Sequence, residues 1–286
     1  MTASQLSLRQ FRPDDLEDVR RVIAQAESYD RVAPLDEAAL LDLVHRGEAV
    51  RVVLAQDGFA TVRGDALDLV VAPSARRRGL ARSLAAAALA GADAPSTAWA
   101  HGDLPGTYRL AAHFDFQVAR QLLVMRLGPA ALLPDLEAPT GVTISTFTPD
   151  DTDDLLRVNA SAFAQHPEQG RLTRPDFEER AQERWFDPAG LLLARDEAGG
   201  LLGFHWTKRH SETDGEVYVV GVSPQAQGRG LGRTLTLAGL HHLRDGGARD
   251  IHLYVEADNA PAVKVYQRLG FTVDRRDTHV QYHRRS

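Results

Sequence analysis

Two tandem domains of mixed α/β class, each a central mixed sheet flanked by helices, are the fold that the sequence predicts. Three observations carry it. The segment Leu6–Asp15 recurs as Val142–Asp151, with proline and two aspartates at the end of each copy. The segment Leu69–Ala81 recurs as Val220–Gly232, and Phe114-Asp-Phe116 is matched by Leu269-Gly-Phe271. The order is the same in both halves, as in a tandem duplication. The seam is expected in Gly128–Thr140, where Pro129, Pro134 and Pro139 interrupt periodicity. The expected domains are therefore 1–130 and 140–286 of the 286 residues, each near a common domain length.

The elements follow in chain order. Each copy of the first block alternates apolar and polar residues, as a strand does, and then switches at Pro13 or Pro149. Proline followed by two aspartates suits a first helical turn, with a preset φ and negative charge at the positive end of the dipole. Leu16, Val19, Val22, Ile23 and Ala26 continue at helical spacing. Each copy of the second block reads as an apolar strand, a proline turn, a basic glycine-containing loop and an amphipathic helix. In the second half those parts are Glu216–Val222, Gln227–Gly232 and a helix with Leu231, Leu235, Ala238 and Leu243 on its apolar face.

Composition narrows the function. Hydrophobic residues make up 43% and charged residues 25%, ordinary for a globular chain. The absence of cysteine excludes disulfides, thiolate catalysis and Cys-ligated zinc. A net charge of −6 and a pI of about 6.0 argue against nucleic acid as a partner, and the arginines at 76–78 lack aromatic interleaving. No apolar run is long enough for a membrane span, and the first residues lack the pattern of a signal peptide, so the cytoplasm is the expected location. No metal is expected. His241 and His242 are adjacent on a helix, and His205 and His210 show no clear ligand spacing. A monomer is the simplest assembly.

The loop Gln227-Gly-Arg-Gly-Leu-Gly232 after a strand and before a helix is an anion cradle: backbone N–H groups at a helix start, glycines that admit a phosphate, and Arg229 and Arg233 as fixed charge. The dinucleotide pattern fails because Arg233 stands where its third glycine should fall, and the phosphate loop of nucleotide hydrolases fails for want of Gly-Lys-Ser/Thr. The pattern Gln/Arg-x-x-Gly-x-Gly/Ala fits twice, at Gln227–Gly232 and at Arg76–Ala81, and is followed in the second half by Asn259, Tyr266 and Gly270-Phe271. In these motifs the chain resembles the GNAT family of N-acetyltransferases. The resemblance implies tandem GNAT domains with acetyl-coenzyme A as the acetyl-donor substrate. The donor would lie along Val220, Gly221 and Val222 and be held by Gln227, Gly228, Arg229, Gly230, Leu231, Gly232, Arg233, Asn259, Ala260, Pro261, Ala262, Val263 and Lys264.

Acetyl transfer to an amine needs a base, an oxyanion site and a leaving-group acid. The resemblance makes Glu216 the expected base and Tyr266 the expected acid, since a phenol keeps its proton at neutral pH. Backbone N–H groups near Val220–Val222 are the expected oxyanion donors. Plain alternation would place Glu216, Tyr218, Val220 and Val222 on one strand face, with Glu216 about 13 Å from Val220 and so acting through water.

The first half departs from the pattern. Leu104 and Ala111 stand where Asn259 and Tyr266 are expected, and Asp65 aligns with Glu216 if no insertion intervenes. That domain is expected to be non-catalytic, yet Leu69, Val70, Val71, Arg77, Arg78, Gly79, Leu80, Ala81 and Arg82 could hold a second acetyl-coenzyme A.

Longer stretches are similar to a tandem branch of the family that acetylates the cysteinyl amine of Cys-GlcN-Ins (desacetylmycothiol). They are Phe163–Gly170, Trp185–Gly190, Gly203–Lys208, Gly215–Val222 and Leu253–Asn259, with Ala33–Glu37 and Trp99–Asp103 in the first half. By that resemblance Glu37, Glu168, Lys208, Glu216 and Tyr254 contact the substrate, although Asp36 could serve in place of Glu37. The competing readings are a GNAT enzyme for another amine, such as an aminoglycoside or a protein N-terminus, and a non-catalytic acyl-coenzyme A sensor.

Overall fold

The computed structural model describes residues 6, 8–104, 106–164 and 167–285. The chain folds into two compact units: residues up to Leu123 with Glu256–Asp258 and the segment from Asp274, and Val124–Val255 with Asn259–Val273.

The first unit contains β1 (Arg9–Gln10), α1 (Asp15–Asp30), α2 (Glu37–His45), β2 (Val50–Ala55), β3 (Gly58–Arg63), β4 (Ala66–Val71), α3 (Leu80–Ala88), β5 (Thr97–Ala100), α4 (Thr107–His113) and the start of β6 (Phe116–Leu127). Helix α1 forms where Leu16–Ala26 predicts it and buries Val19, Val22, Ile23 and Ala26 against β2, Phe59 and Val70. Asp15 closes its first turn by accepting from the Arg12 N–H and from both terminal nitrogens of Arg9.

The second unit contains β7 (Val142–Thr146), α5 (Thr152–Ala162), α6 (Pro167–Gly170), α7 (Arg174–Ala181), β8 (Leu191–Asp196), β9 (Leu201–Arg209), β10 (Asp214–Val222), α8 (Leu231–Asp245), β11 (Asp250–Glu256) and α9 (Ala260–Arg268). Its strands run β7-β8-β9-β10-β11, antiparallel except for β10 beside β11. One face carries Phe204 and Trp206, packed with Phe147 and with Phe177 of α7; the other carries Ala194, packed with Leu231 and Leu235 of α8. The last residues of β6 belong here, where Arg126 exchanges two backbone hydrogen bonds with Thr272.

The end of the chain departs from the expected 140–286 domain. The last strand, β12 (Thr278–Arg284), lies in the first unit, between β5 and β6 and antiparallel to both, so that unit's order is β1-β2-β3-β4-β5-β12-β6. Burial explains the placement: Val280 is 0% and Tyr282 3% exposed in the cluster formed with Val53, Val62, Leu84 and Phe116. Among the described residues no helix is long and apolar enough to cross a membrane.

Candidate active site

Strands β10 and β11 pair in parallel from Asp214↔Asp250 to Val217↔Leu253 and then lose register, although both continue. The two strands therefore splay, and the glycine loop follows the far end of β10. Against β9, β10 has Glu216 opposite Lys208 and Val217 opposite Thr207, but Val219 opposite Trp206. Tyr218 is the extra residue of a β-bulge, which shifts the alternation by one.

The bulge corrects the expected single face. Val220 and Val222 pack with Leu231 and Leu235 on the α8 side, whereas Glu216 lies with Lys208, Tyr218 and Trp206 on the other. Val219, not Val220, shares the Glu216 face. The bulge also corrects the alignment of the halves. Strand β4 pairs with β3 without a shift, from Val71↔Gly58 to Ala66↔Arg63. Counted from the matching pair Val222↔Gly203, Glu216 is equivalent to Ala66 and Lys208 to Arg63. Asp65 instead sits in the turn before β4, where it accepts from the Ser96 hydroxyl and N–H.

Glu216 is 7% exposed. Its Oε2 lies 2.6 Å from His210 Nε2 and 4.0 Å from His252 Nε2. His252 is the parallel partner of Glu216 on β11, and its Nδ1 is 3.3 Å from Asp214 Oδ1. Burial holds the His252 imidazole below its ordinary range, against the opposing pull of the Glu216 and Asp214 carboxylates. Tyr254, two residues on, turns the edge of its half-exposed ring to His252. The Lys208 ammonium sits 4.8 Å from the Trp185 ring centre and 5.4 Å from that of Tyr218. Cation–π attraction of about 0.5–2 kcal/mol thus fixes it beside Glu216. The structure gathers Lys208, Glu216 and Tyr254 on one face and places His210, His252, Trp185 and Tyr218 around them. Tyr218 has a signal in the sequence, its alternation with Glu216, and Trp185 lies in one of the resembling stretches; the contacts of His210 and His252 with Glu216 are not anticipated by the sequence.

The donor loop is open. Gly228 and Gly230 have φ of +79° and +82°, and a Cβ on either, or on Gly232, would meet nothing within 4 Å. Gly230 at the N-cap of α8 makes no side-chain hydrogen bond, so the first N–H groups of the helix are left without a side-chain cap. Arg229 and Arg233 are exposed and form no ion pair among the described residues. Gln227 reaches back to the Val222 carbonyl at 3.5 Å. Asn259 caps α9, accepting from the Ala262 N–H at 3.3 Å. Tyr266 is half-buried, with its ring against Phe271, and burial pushes its phenol up to about 12.

The loop of the first unit keeps the shape with different chemistry. Arg77, at φ +61°, takes the place of Gly228, and Gly79, at +87°, that of Gly230. Arg76 Nε donates to the Val71 carbonyl at 3.0 Å, and its two terminal nitrogens clamp Asp30 at 2.7 and 2.6 Å. Its charge is thereby used within the fold, whereas Arg77, Arg78 and Arg82 stay exposed. Ala111 packs at the edge of the core. The side chains of Glu37 and Glu168 lie outside the described residues; Asp36 caps α2 by accepting from the Ala39 N–H.

Comparison with known proteins fits this geometry. Residues 157–271 match the Acetyltransferase (GNAT) family. A GCN5-related N-acetyltransferase from Sphaerobacter thermophilus superposes with a TM-score of 0.73 at 24% identity, covering 99% of this chain and 96% of that one. A tandem GNAT protein from the clavulanic acid biosynthesis pathway superposes at 0.63 and 21%, covering 97% of each. The splayed strands, the open loop and the family match define an acetyltransferase of GNAT class. Among curated relatives, the mycothiol acetyltransferase of Nocardioides sp. is 52% identical over 95% of this chain and 98% of its own. That of Actinosynnema mirum is 48% identical over 94% and 96%. The chain belongs to the mycothiol acetyltransferase family.

Proposed function

We propose that the second unit transfers the acetyl group of acetyl-coenzyme A to the cysteinyl amine of Cys-GlcN-Ins, giving mycothiol and coenzyme A. The observation that carries the reading is the convergence of Glu216, Lys208 and Tyr254 on one sheet face beside the splay of β10 and β11. An ionised carboxylate only accepts, so His210 Nε2 carries the hydrogen toward Oε2 and leaves Oε1 of Glu216 for a water or the amine. Glu216 takes the amine proton as the amide bond forms. Backbone N–H groups of Val220–Val222 steady the oxyanion. The C–S bond then breaks, and Tyr266 gives its proton to the departing thiolate. A phenol held near 12 is protonated at any working pH, so the proton is in place when the thiolate leaves.

In this reading Gln227–Arg233 cradle the pyrophosphate and Asn259–Lys264 flank it. Glu37, Glu168, Lys208 and Tyr254 are hydrogen-bonding partners for the pseudodisaccharide. Leu69–Val71 and Arg77–Arg82 hold a second donor molecule without performing chemistry, because Ala66 and Ala111 replace base and acid. The test is kcat/KM with Cys-GlcN-Ins, cysteine and glucosamine. Unpaired polar groups penalise a truncated substrate, so cysteine is expected to be poorer by orders of magnitude, and Lys208→Ala to narrow the gap. Equal efficiency for cysteine would overturn the substrate assignment and leave the acetyltransferase class standing.

A further inference from the structure

His210, Glu216 and His252 come together from three places: the turn after β9, β10 and β11. Their ligand atoms lie within 4.8 Å of one another. Two imidazoles and a carboxylate are the donor set that zinc takes in sites with an open fourth position. With metal–ligand bonds of about 2.0–2.1 Å, tetrahedral geometry separates ligand atoms by about 3.3 Å. The separations of 2.6 Å from His210 to Glu216 and 4.0 Å from His252 to Glu216 bracket that value. The third separation, His210 to His252, is at most 4.8 Å.

A second observation is independent of the spacing. His252 Nδ1 faces Asp214 Oδ1, and its Nε2 faces Glu216. A carboxylate on one imidazole nitrogen, with the other turned to the centre, is the outer-shell arrangement that orients metal-binding histidines. Nothing in acetyl transfer requires Asp214 to hold His252 in this way. Two of the ligands are also rigidly placed, since Glu216 and His252 are directly paired on neighbouring strands.

We propose that His210, Glu216 and His252 bind a borderline divalent cation of the Zn2+ type, and that its binding inhibits the enzyme by occupying Glu216. The binding half stands on geometry alone; the inhibitory half rests on Glu216 being the base. The probes are Zn2+ by calorimetry and Co2+ by visible absorption, which reports its coordination without any turnover. One equivalent is expected to bind, with affinity reduced at least tenfold in His252→Ala and in His210→Gln, and by about 10–100-fold in Asp214→Asn. The three variants lie in different places, on β11, in the turn after β9 and on β10, so a folding defect in one leaves the others informative. Binding that is unchanged in both histidine variants, or no saturable binding of Zn2+ below millimolar concentration, would overturn the site. Initial rates are then measured at buffered free Zn2+, because an acceptor with a thiol and an amine itself chelates the ion. Inhibition that disappears in His252→Ala supports both halves. Stoichiometric binding without loss of rate overturns the inhibitory half, and with it the reading of Glu216 as base, while the cation site remains.

Discussion

Tyr266 carries its phenol on α9 beside Phe271, in surroundings that keep it neutral. Tyr266→Phe preserves the ring and removes the proton. Loss of a general acid is expected to lower kcat by about 10²–10⁴ with little change in KM for either substrate. A pKa raised to about 12 also means that Tyr266 stays protonated through the usual assay range. Any alkaline fall in rate below pH 10 should then persist unchanged in the variant, and a fall that vanishes with the substitution would show the phenol titrating. Tyr266 and Glu216 are legible in the sequence because each sits at a fixed distance from a motif, the Gly270-Phe271 pair and the glycine loop. His210 is not. It reaches Glu216 only because the β9–β10 turn folds it back, and no periodicity encodes that contact.

At the scale of elements, β9 and α8 meet through a buried imidazole. His205 is 0% exposed, and its Nδ1 lies 2.8 Å from the Leu235 carbonyl on α8. Gly239 sits in the middle of that helix because a Cβ there would collide with the His205 ring. Burial depresses the imidazole to about 4, opposed by the Leu235 carbonyl and reinforced by His242. The unfolded chain titrates this group near 6.5 and so takes up a proton that the native state refuses. Stability from His205 is thus complete above pH 6.5 and is lost as pH falls toward 4. The loss is about 2.5 kcal/mol at pH 4.5. Urea unfolding at pH 7.5 and 4.5 checks it: the wild type should lose that much more than His205→Gln, and a parallel pH dependence would refute the assignment. Helix α1 and the strand–loop–helix blocks of β4 with α3 and β10 with α8 are readable from alternation, helical spacing and the repeat. The bulge at Tyr218 is not, because one inserted residue leaves composition and motifs intact yet turns Val220 to the opposite face from Glu216 and replaces Asp65 by Ala66 as its counterpart.

For the whole molecule, the decisive strand is the last. The repeat makes tandem domains legible and leads one to end each copy on its own strand, whereas β12 completes the first unit. Nothing in the repeat says which strands Thr278–Arg284 lies between. Removing residues 274–286 takes Val280 and Tyr282 from the core and leaves β5 and β6 with unpaired edges. Faster amide exchange throughout β5 and the first half of β6 is expected, with a tendency to aggregate through those edges. Unaltered protection there would mean that β12 contributes little to the unit. The same strand inverts the order of assembly on the ribosome. Residues of the first unit emerge first, but the slot between β5 and β6 stays vacant while the second unit is being translated. A nascent chain in that condition exposes two strand edges for seconds at ordinary elongation rates of about 5–20 residues per second. The half that is made first is therefore finished last.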